Sequence, residues 1–288
     1  MSIYKYVHED RIDILENLII RFTQPQEFND PFEMYPYIKS LLPYGFIESA
    51  IEQQTEQEFL NNYLEYIPKE DRFLLPDNLW IEFGKQFYPL LKPVVKNTFL
   101  SFFEQIKSPL NQLLPSSINN AIGILCCAGH PLDVRMWGHY ANCHKGFVIA
   151  MDEEHKFFQQ TGHPAEKLRK IRKVKYFEER PTITNFFNLN IEEIFFSKSI
   201  DWEYEDEWRI IRPLKEADSV VDINNQKIYL FKIPPESIEA IFFGVRTSDE
   251  VIKKVITIFN ENESLTSRRF MKTILSEDKY EFRHRIVH

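Results

Sequence analysis

The hydrophobic pattern divides the chain into three stretches with different periods. Residues 3–7 are predicted as a short strand, and residues 10–20 carry apolar positions at helical spacing, which predicts a helix there. Residues 40–118 repeat apolar side chains near the helical period, which predicts helices at 47–67 and 78–106, with Pro89 and Pro93 breaking or kinking the second. From residue 121 strand-like segments return, at 121–127, 146–151, 171–177, 207–213, 227–233, 240–243, 269–274 and 280–287. Further helices are predicted at 132–140, 191–197 and 249–260.

This succession predicts an α+β protein with a mixed or antiparallel sheet as its core. Residues 1–39 and 119–288 would form that core domain, and residues 40–118 a helical insertion. The insertion carries no recognisable chemical motif, so a lid or a surface for a protein partner is the role we expect for it.

Residues 201–209 hold five carboxylates and three large aromatic side chains in nine positions. Interpreted as a strand, the stretch places Trp202, Tyr204 and Trp208 on one face as core anchors, and the carboxylates on the other. Glu205 and Glu207 belong to this acidic row, and Arg209 follows it. Like charges along one row repel, so the row needs water, a cation or raised carboxylate pKa values. Both an active site and a solvated edge strand fit that requirement.

A second chemically dense segment covers residues 135–147, where a predicted helix ends near Tyr140 and a strand follows. His139 at this junction is suited to hydrogen bonding or proton transfer, although a partly buried histidine satisfied by backbone is an equally good interpretation. Cys127, His130, His139 and Cys143 also form two short pairs that resemble zinc-ligand spacing, but they match no known finger pattern.

The composition narrows the possible partners, locations and enzyme classes further. The net charge of −8 disfavours nucleic acid or an anionic membrane as a general partner, although the basic run 167–176 leaves a local phosphate or nucleic-acid contact open. No apolar run approaches the ~20 residues of a membrane span. With three cysteines and no signal-peptide pattern, a cytoplasmic location is expected. Phosphate-loop, dinucleotide-fold, nucleophile-elbow and zincin motifs are not present.

Several segments, taken in order, resemble a bacterial family catalogued as domain of unknown function 2971. The matching residues are Tyr4-Lys5-Tyr6, Asn29-Asp30-Pro31-Phe32-Glu33, Met136-Trp137-Gly138-His139-Tyr140-Ala141, His144-Lys145-Gly146, Lys198, Trp202-x-Tyr204-Glu205-x-Glu207-Trp208-Arg209 and the segment 241–244. The resemblance covers most of the chain outside residues 40–118, and it implies no function by itself.

More remotely, the layout is similar to ADP-ribosyltransferases, in which a late-strand glutamate meets the nicotinamide ribose of NAD. The resemblance implies that Glu207 is the catalytic carboxylate and that Glu205 orients substrate or acts as base. It implies that His139, Tyr140 and Tyr6 line the NAD site. Lys198 and Arg209 would meet phosphate or hold the carboxylates, and Asn29 joins this cofactor-binding set. A toxin or a phage-defence effector would be the biological role.

Two other functions remain open from the residues. One is a phosphodiesterase or nuclease that uses the acidic cluster and histidine with a divalent ion. The other is a non-enzymatic interaction module, with residues 40–118 as partner surface and Glu205, Glu207, Arg209 and Lys198 as a structural ion network.

Overall fold

The computed structural model describes residues 1–41, 77–161, 166–184, 190–267 and 269–287, together with residues 49, 56, 58 and 60. The predicted helix at 47–67 therefore lies almost wholly outside the described residues. The chain divides into two compact units. The first comprises Met1–Tyr35, Pro115–Pro181 and Asn190–His288, and the second comprises Pro36–Leu114 and Thr182–Leu189.

The first unit is built on an eight-stranded sheet. Its strands are β1 (Ser2–Val7), β4 (Ile122–Ala128), β5 (Phe147–Asp152), β6 (Arg172–Lys173), β10 (Glu207–Pro213), β13 (Ile238–Phe243), β14 (Phe270–Leu275) and β15 (Phe282–Ile286). Their order across the sheet is β15-β14-β13-β5-β1-β4-β10-β6. Among the described strand pairs of this sheet, β13–β14 is parallel and the others are antiparallel. The sheet is therefore mixed, and the predicted α+β class is confirmed.

Smaller elements complete the unit. A three-stranded sheet is formed by β2 (Ile19–Arg21), β11 (Ser219–Ile223) and β12 (Gln226–Lys232), with β12 in the middle, and β7 (Lys175–Phe177) pairs in parallel with β9 (Ser197–Ser199). The helices are α1 (Asp13–Asn17), α3 (Val134–Tyr140), α4 (Glu166–Arg169), α5 (Ile191–Phe195) and α6 (Asp249–Glu261).

Apolar side chains form two buried clusters. In the larger cluster the inner face of α6, with Val255 and Phe259, packs with strand residues such as Ile149 and Ile210. The smaller cluster includes Trp137 of α3. Helix α3 is held at its start by Asp133, whose carboxylate accepts hydrogen bonds from the backbone amides of residues 135 and 136. The smaller cluster therefore positions α3, which carries Tyr140.

The second unit contains α2 (Asp77–Ala121) as far as Leu114, and a parallel pair of β3 (Tyr37–Ile38) with β8 (Thr182–Ile183). The sequence predicts a break or a kink at Pro89 and Pro93; helix α2 runs through both residues, so it does not break there. Within the described ranges, no helix is long and apolar enough to cross a membrane.

Three predicted elements differ from the structure. In place of the helix predicted at 10–20, the structure has a 3-10 turn followed by the short α1. Helix α1 ends there because Leu18 adopts a left-handed conformation (φ 52°), and the next residues, Ile19–Arg21, pair with β12. The strand predicted at 171–177 is divided between β6 and β7, which belong to different sheets. The acidic stretch at 201–209 is interpreted from its sequence as a strand, but the strand begins only at Glu207, because Ile200–Glu205 forms a 3-10 helix.

Two glycines bring the segment after α3 against the sheet. A Cβ on Gly146 would lie 2.0 Å from the Val7 carbonyl oxygen, and one on Gly244 would lie 2.2 Å from the carbonyl oxygen of His144. The amide of Gly244 donates to the Gly146 carbonyl. These close backbone approaches leave no room for a side chain, so they fix where α3 ends above the sheet.

We expect Gly146→Ala to destabilise the protein by about 3 kcal/mol, because the new methyl group meets backbone that cannot move aside. Chemical denaturation measures the loss. Gly138→Ala is the matched control, because a Cβ at that position would have no atom within 4 Å and alanine favours helix. Equal stability of the two variants would contradict this account of the turn.

Candidate functional site

A cavity of about 200 Å³ opens in the first unit where two neighbouring strands separate. Strand β1 pairs with β5 at six positions but with β4 only at Tyr4–Ala128. On the other side of the opening, Thr23 bridges to Ile124 of β4. Between these two points the Lys5 ammonium donates to the Cys126 carbonyl oxygen at 2.8 Å. The gap therefore exposes strand edges and side chains that a continuous sheet would bury.

The walls of this cavity combine aromatic rings with carboxylates. The rings are Tyr4, Tyr6, Phe28, Tyr140 and Trp202. The carboxylates are Glu27, Asp30, Glu33, Glu205 and Glu207, against which only Lys5 and Lys198 contribute positive charge to the described lining. Arg209 adds one further cation behind the wall through its contacts with Glu207. The cavity thus has an excess of negative charge.

A buried lysine joins the two glutamates of the acidic row. Lys198 lies on β9, and its ammonium donates to Glu205 Oε2 at 2.6 Å and to Glu207 Oε2 at 2.9 Å. No side chain of the three is more than 5% exposed. The Trp202 ring covers the ammonium, with 5.0 Å from Nζ to the ring centroid. Lys198 therefore fixes both carboxylates at one edge of the cavity.

Each carboxylate has a second partner of its own. Tyr140 donates its hydroxyl to Glu205 Oε1 at 2.6 Å. Arg209 holds Glu207 with two bonds, from Nε to Oε1 at 2.7 Å and from Nη2 to Oε2 at 2.9 Å. Arg209 Nη2 also donates to Glu33, which lies in the loop that follows β2 and lines the same cavity. The ion network, Glu33, Lys198, Glu205, Glu207 and Arg209, therefore ties that loop to β9 and β10.

The left-handed residue Asp206 (φ 45°) is what places Glu205 beside Glu207. It lies between the 3-10 helix and β10, and its carbonyl accepts a bond from the Gly129 amide at 2.8 Å. The amide of Glu207 donates to the Tyr176 hydroxyl at 2.8 Å. The two glutamates thus converge through a helix-to-strand turn rather than by strand alternation.

Burial and charge shift the pKa values in this network. Burial raises the pKa of Glu207 above its ordinary value, although Lys198 opposes the shift. Burial by itself would lower the pKa of Lys198, but the attraction of Glu207 and Glu205 outweighs it and the pKa is raised. Burial and the neighbouring Glu205 raise the pKa of Tyr140, so its hydroxyl keeps the proton that it donates. Burial and Glu207 likewise raise the pKa of the Cys126 thiol.

Most residues predicted for the site lie together in the structure. Glu205, Glu207, Lys198, Tyr140, Tyr6 and Asn29 line the cavity, and Arg209 lies directly behind it. The Tyr6 hydroxyl donates to the His130 carbonyl oxygen at 3.0 Å. His139 is exposed and is not among the lining residues, because it lies on the outer side of α3 next to Tyr204. The predicted catalytic position of His139 within the cavity is therefore not observed.

Sequence reasoning misses several residues of the site. Glu33 and Asp30 stand in the motif that carries the family resemblance, but only Asn29 has a predicted role there. Trp202 is predicted as a core anchor, whereas it lines the cavity and covers Lys198. Lys5 stands in the Tyr4-Lys5-Tyr6 motif but has no predicted role, and Cys126 gives no signal, because the gap between β1 and β4 follows from strand pairing.

Two further candidates from the sequence are the zinc ligands and the basic run. Cys127 is buried in the core and lines the cavity, and within the described ranges no three His, Cys, Asp or Glu side chains are grouped so as to hold a metal ion. Cations of the basic run are paired with acids: Lys173 contacts Asp206 at 2.5 Å, and Arg172 contacts Glu192 at 2.8 Å. The run is thus engaged in ion pairs on its own surface.

A family model described as "Protein of unknown function (DUF2971)" matches residues 136–210. The match confirms the resemblance over a stretch that carries Tyr140, Lys198, Glu205, Glu207 and Arg209. No curated protein and no solved structure matches the chain.

We expect Lys198→Met to destabilise the protein by about 3–5 kcal/mol at pH 8, because it leaves the buried Glu205 without its cation and Glu207 with Arg209 alone. Without Lys198 the pKa of Glu207 rises further above its unfolded value. A carboxyl with a raised folded pKa contributes stability below its unfolded pKa and loses it as the pH rises through the folded pKa. The deficit should therefore be smaller at pH 5 than at pH 8, as measured by denaturation at both values.

Lys173→Met is the control, because Lys173 pairs with Asp206 but its side chain is 55% exposed. We expect it to lose less than about 1 kcal/mol. A Lys198→Met deficit that is the same at both pH values would show that Glu207 does not depend on Lys198.

Proposed function

We propose that this protein is an NAD-consuming enzyme of the ADP-ribosyltransferase type, with Glu205 as the carboxylate that contacts the nicotinamide ribose. The observation that carries the proposal is the pair of buried glutamates, joined by Lys198, at the edge of an acidic cavity with aromatic walls. A toxin or phage-defence role, expected from the resemblance, remains a prediction attached to this activity.

The nicotinamide-ribose end of NAD suits this cavity in charge and in size. The ring of oxidised nicotinamide carries a positive charge in the riboside, and both carboxylates and aromatic faces attract a cation. Pockets that bind whole drug-sized ligands measure about 300–1,000 Å³, so a cavity of about 200 Å³ is suited to one end of a dinucleotide. The acidic lining disfavours phosphate inside it, which leaves the remainder of the molecule outside.

The chemistry needs a fixed negative group beside developing positive charge. The bond between C1′ of the ribose and the ring nitrogen breaks, and its electron pair neutralises the pyridinium, so that nicotinamide leaves. The ribose then carries oxocarbenium character, which a preorganised carboxylate stabilises. Water or an acceptor nucleophile adds to C1′ and loses one proton.

The two glutamates differ in how many bonds they already make. Three charged hydrogen bonds hold Glu207, one from Lys198 and two from Arg209. Glu205 accepts one bond from Lys198 and one from Tyr140. A carboxylate offers about four acceptor sites, so Glu205 retains more capacity for a substrate hydroxyl. We therefore assign substrate contact to Glu205 and positioning to Glu207, which exchanges the roles that the resemblance implied.

The other two functions predict different behaviour. In a metal-dependent phosphodiesterase the acidic cluster would bind a divalent ion, whereas Lys198 and Arg209 already occupy oxygens of Glu205 and Glu207. A non-enzymatic module would use the ion network only for stability. A measurement of NAD turnover distinguishes the proposed enzyme from the phosphodiesterase and from the non-enzymatic module.

We expect Glu205→Gln to lower the rate of nicotinamide release from NAD by at least about 100-fold, the scale of one lost electrostatic contact in a transition state. Chromatography of the released nicotinamide measures the rate. Glu203→Gln is the matched control, because Glu203 belongs to the same 3-10 helix but is exposed. We expect it to keep the parental rate.

The melting temperature of each variant shows whether lost activity reflects unfolding. Glu207→Gln should lose both activity and stability, because it disrupts the bidentate Arg209 pair. Absence of NAD turnover by the parental protein, or full turnover by Glu205→Gln, would refute the proposal.

A further inference from the structure

A partly exposed aromatic ledge adjoins the cavity on the side of α3. It consists of Trp202, Tyr204 and His139, with Arg135 stacked on Tyr204. The Tyr204 ring lies 6.0 Å from Trp202 and 6.5 Å from His139, measured between ring centroids. Trp202 lines the cavity as well, so the ledge begins at the cavity wall and continues outward.

The ledge differs from the cavity in charge. Its guanidinium, Arg135, lies 4.0 Å from the centroid of the Tyr204 ring, and its side chain is 58% exposed. Asp133 accepts bonds from Nε and Nη2 of Arg135. A guanidinium has five N–H donors, and the two on Nη1 take no part in this pair with Asp133. They can therefore reach an anion that approaches the ledge from solvent.

We infer that the ledge is a second subsite, which takes a planar heteroaromatic base joined to phosphate, the nucleotide half of the substrate. A base stacks on exposed aromatic faces, and an arginine stacked beside them is suited to phosphate. The acidic cavity repels phosphate and accepts the cationic end, so the two sites divide the substrate by charge. This inference rests on the proposed function, and it gives His139 a role in binding rather than in proton transfer.

The inference is tested by separating the two halves of the substrate. Calorimetry measures binding of AMP, nicotinamide riboside and NAD to the parental protein and to Tyr204→Ala, Arg135→Ala and His139→Ala. For Tyr204→Ala and Arg135→Ala we expect affinity for AMP to fall about tenfold or more, the scale of one lost base stack or phosphate contact. His139→Ala should reduce it less, and nicotinamide riboside should bind all variants within about twofold of the parental protein.

Steady-state kinetics gives a second readout. Tyr204→Ala and Arg135→Ala should raise the KM for NAD while kcat stays within about twofold, because the ledge does not touch the reacting atoms. The matched controls are Tyr280→Ala, a fully exposed tyrosine, and Arg283→Ala, whose side chain is 56% exposed and also pairs with an aspartate. Both controls should leave AMP binding unchanged.

The outcomes distinguish this subsite from the proposed function. If NAD is consumed but AMP binding and KM do not change in the ledge variants, the subsite is wrong and the proposed function stands. If AMP binds in a manner that depends on Tyr204 and Arg135 but NAD is not consumed, the subsite stands and the proposed function is wrong. If AMP does not bind the parental protein, the inference is refuted.

Discussion

The buried ammonium of Lys198 is the interaction on which the rest of the site depends. Two carboxylates as close as those of Glu205 and Glu207 repel each other in a low-dielectric environment, and burying either one alone is costly. Lys198 binds both, and Arg209 binds Glu207 together with Glu33. When all five groups are ionised, three carboxylates and two cations leave the network with one surplus negative charge. That surplus is held in place before any ligand arrives.

The separation of β1 from β4 turns this network into a cavity wall. In a continuous sheet the side chains at the ends of β4 and β10 would be covered by their neighbours. Here β1 leaves β4 after a single residue pair, and Lys5 reaches into the opening to bond the Cys126 carbonyl. The loop that carries Phe28 and Glu33 closes another side. The ion network therefore stabilises the fold and shapes the cavity at the same time.

Charge also organises the surroundings of the cavity. Carboxylates and aromatic rings dominate the interior, whereas the ledge outside presents Arg135 on Tyr204. A substrate with a cationic end and an anionic end would be oriented by this difference, because the acidic interior disfavours the anionic end. Within the basic run at 167–176, Arg172 and Lys173 are paired with acids.

The sequence is enough to predict several elements, because local periodicity and capping fix them. These are the α+β class, most strands of the large sheet, the start of α3 and the amphipathic α6. The motifs likewise point to Glu205, Glu207, Lys198, Tyr140 and Arg209 as site residues. How these residues meet depends on contacts between distant parts of the chain. The left-handed turn at Asp206 is held by the amide of Gly129, which lies far away in sequence. Strand pairing between distant segments decides the remaining features, and no local sequence pattern encodes that pairing. These features are the burial of the acidic row, the roles of Glu33 and Trp202, and the position of His139 outside the cavity.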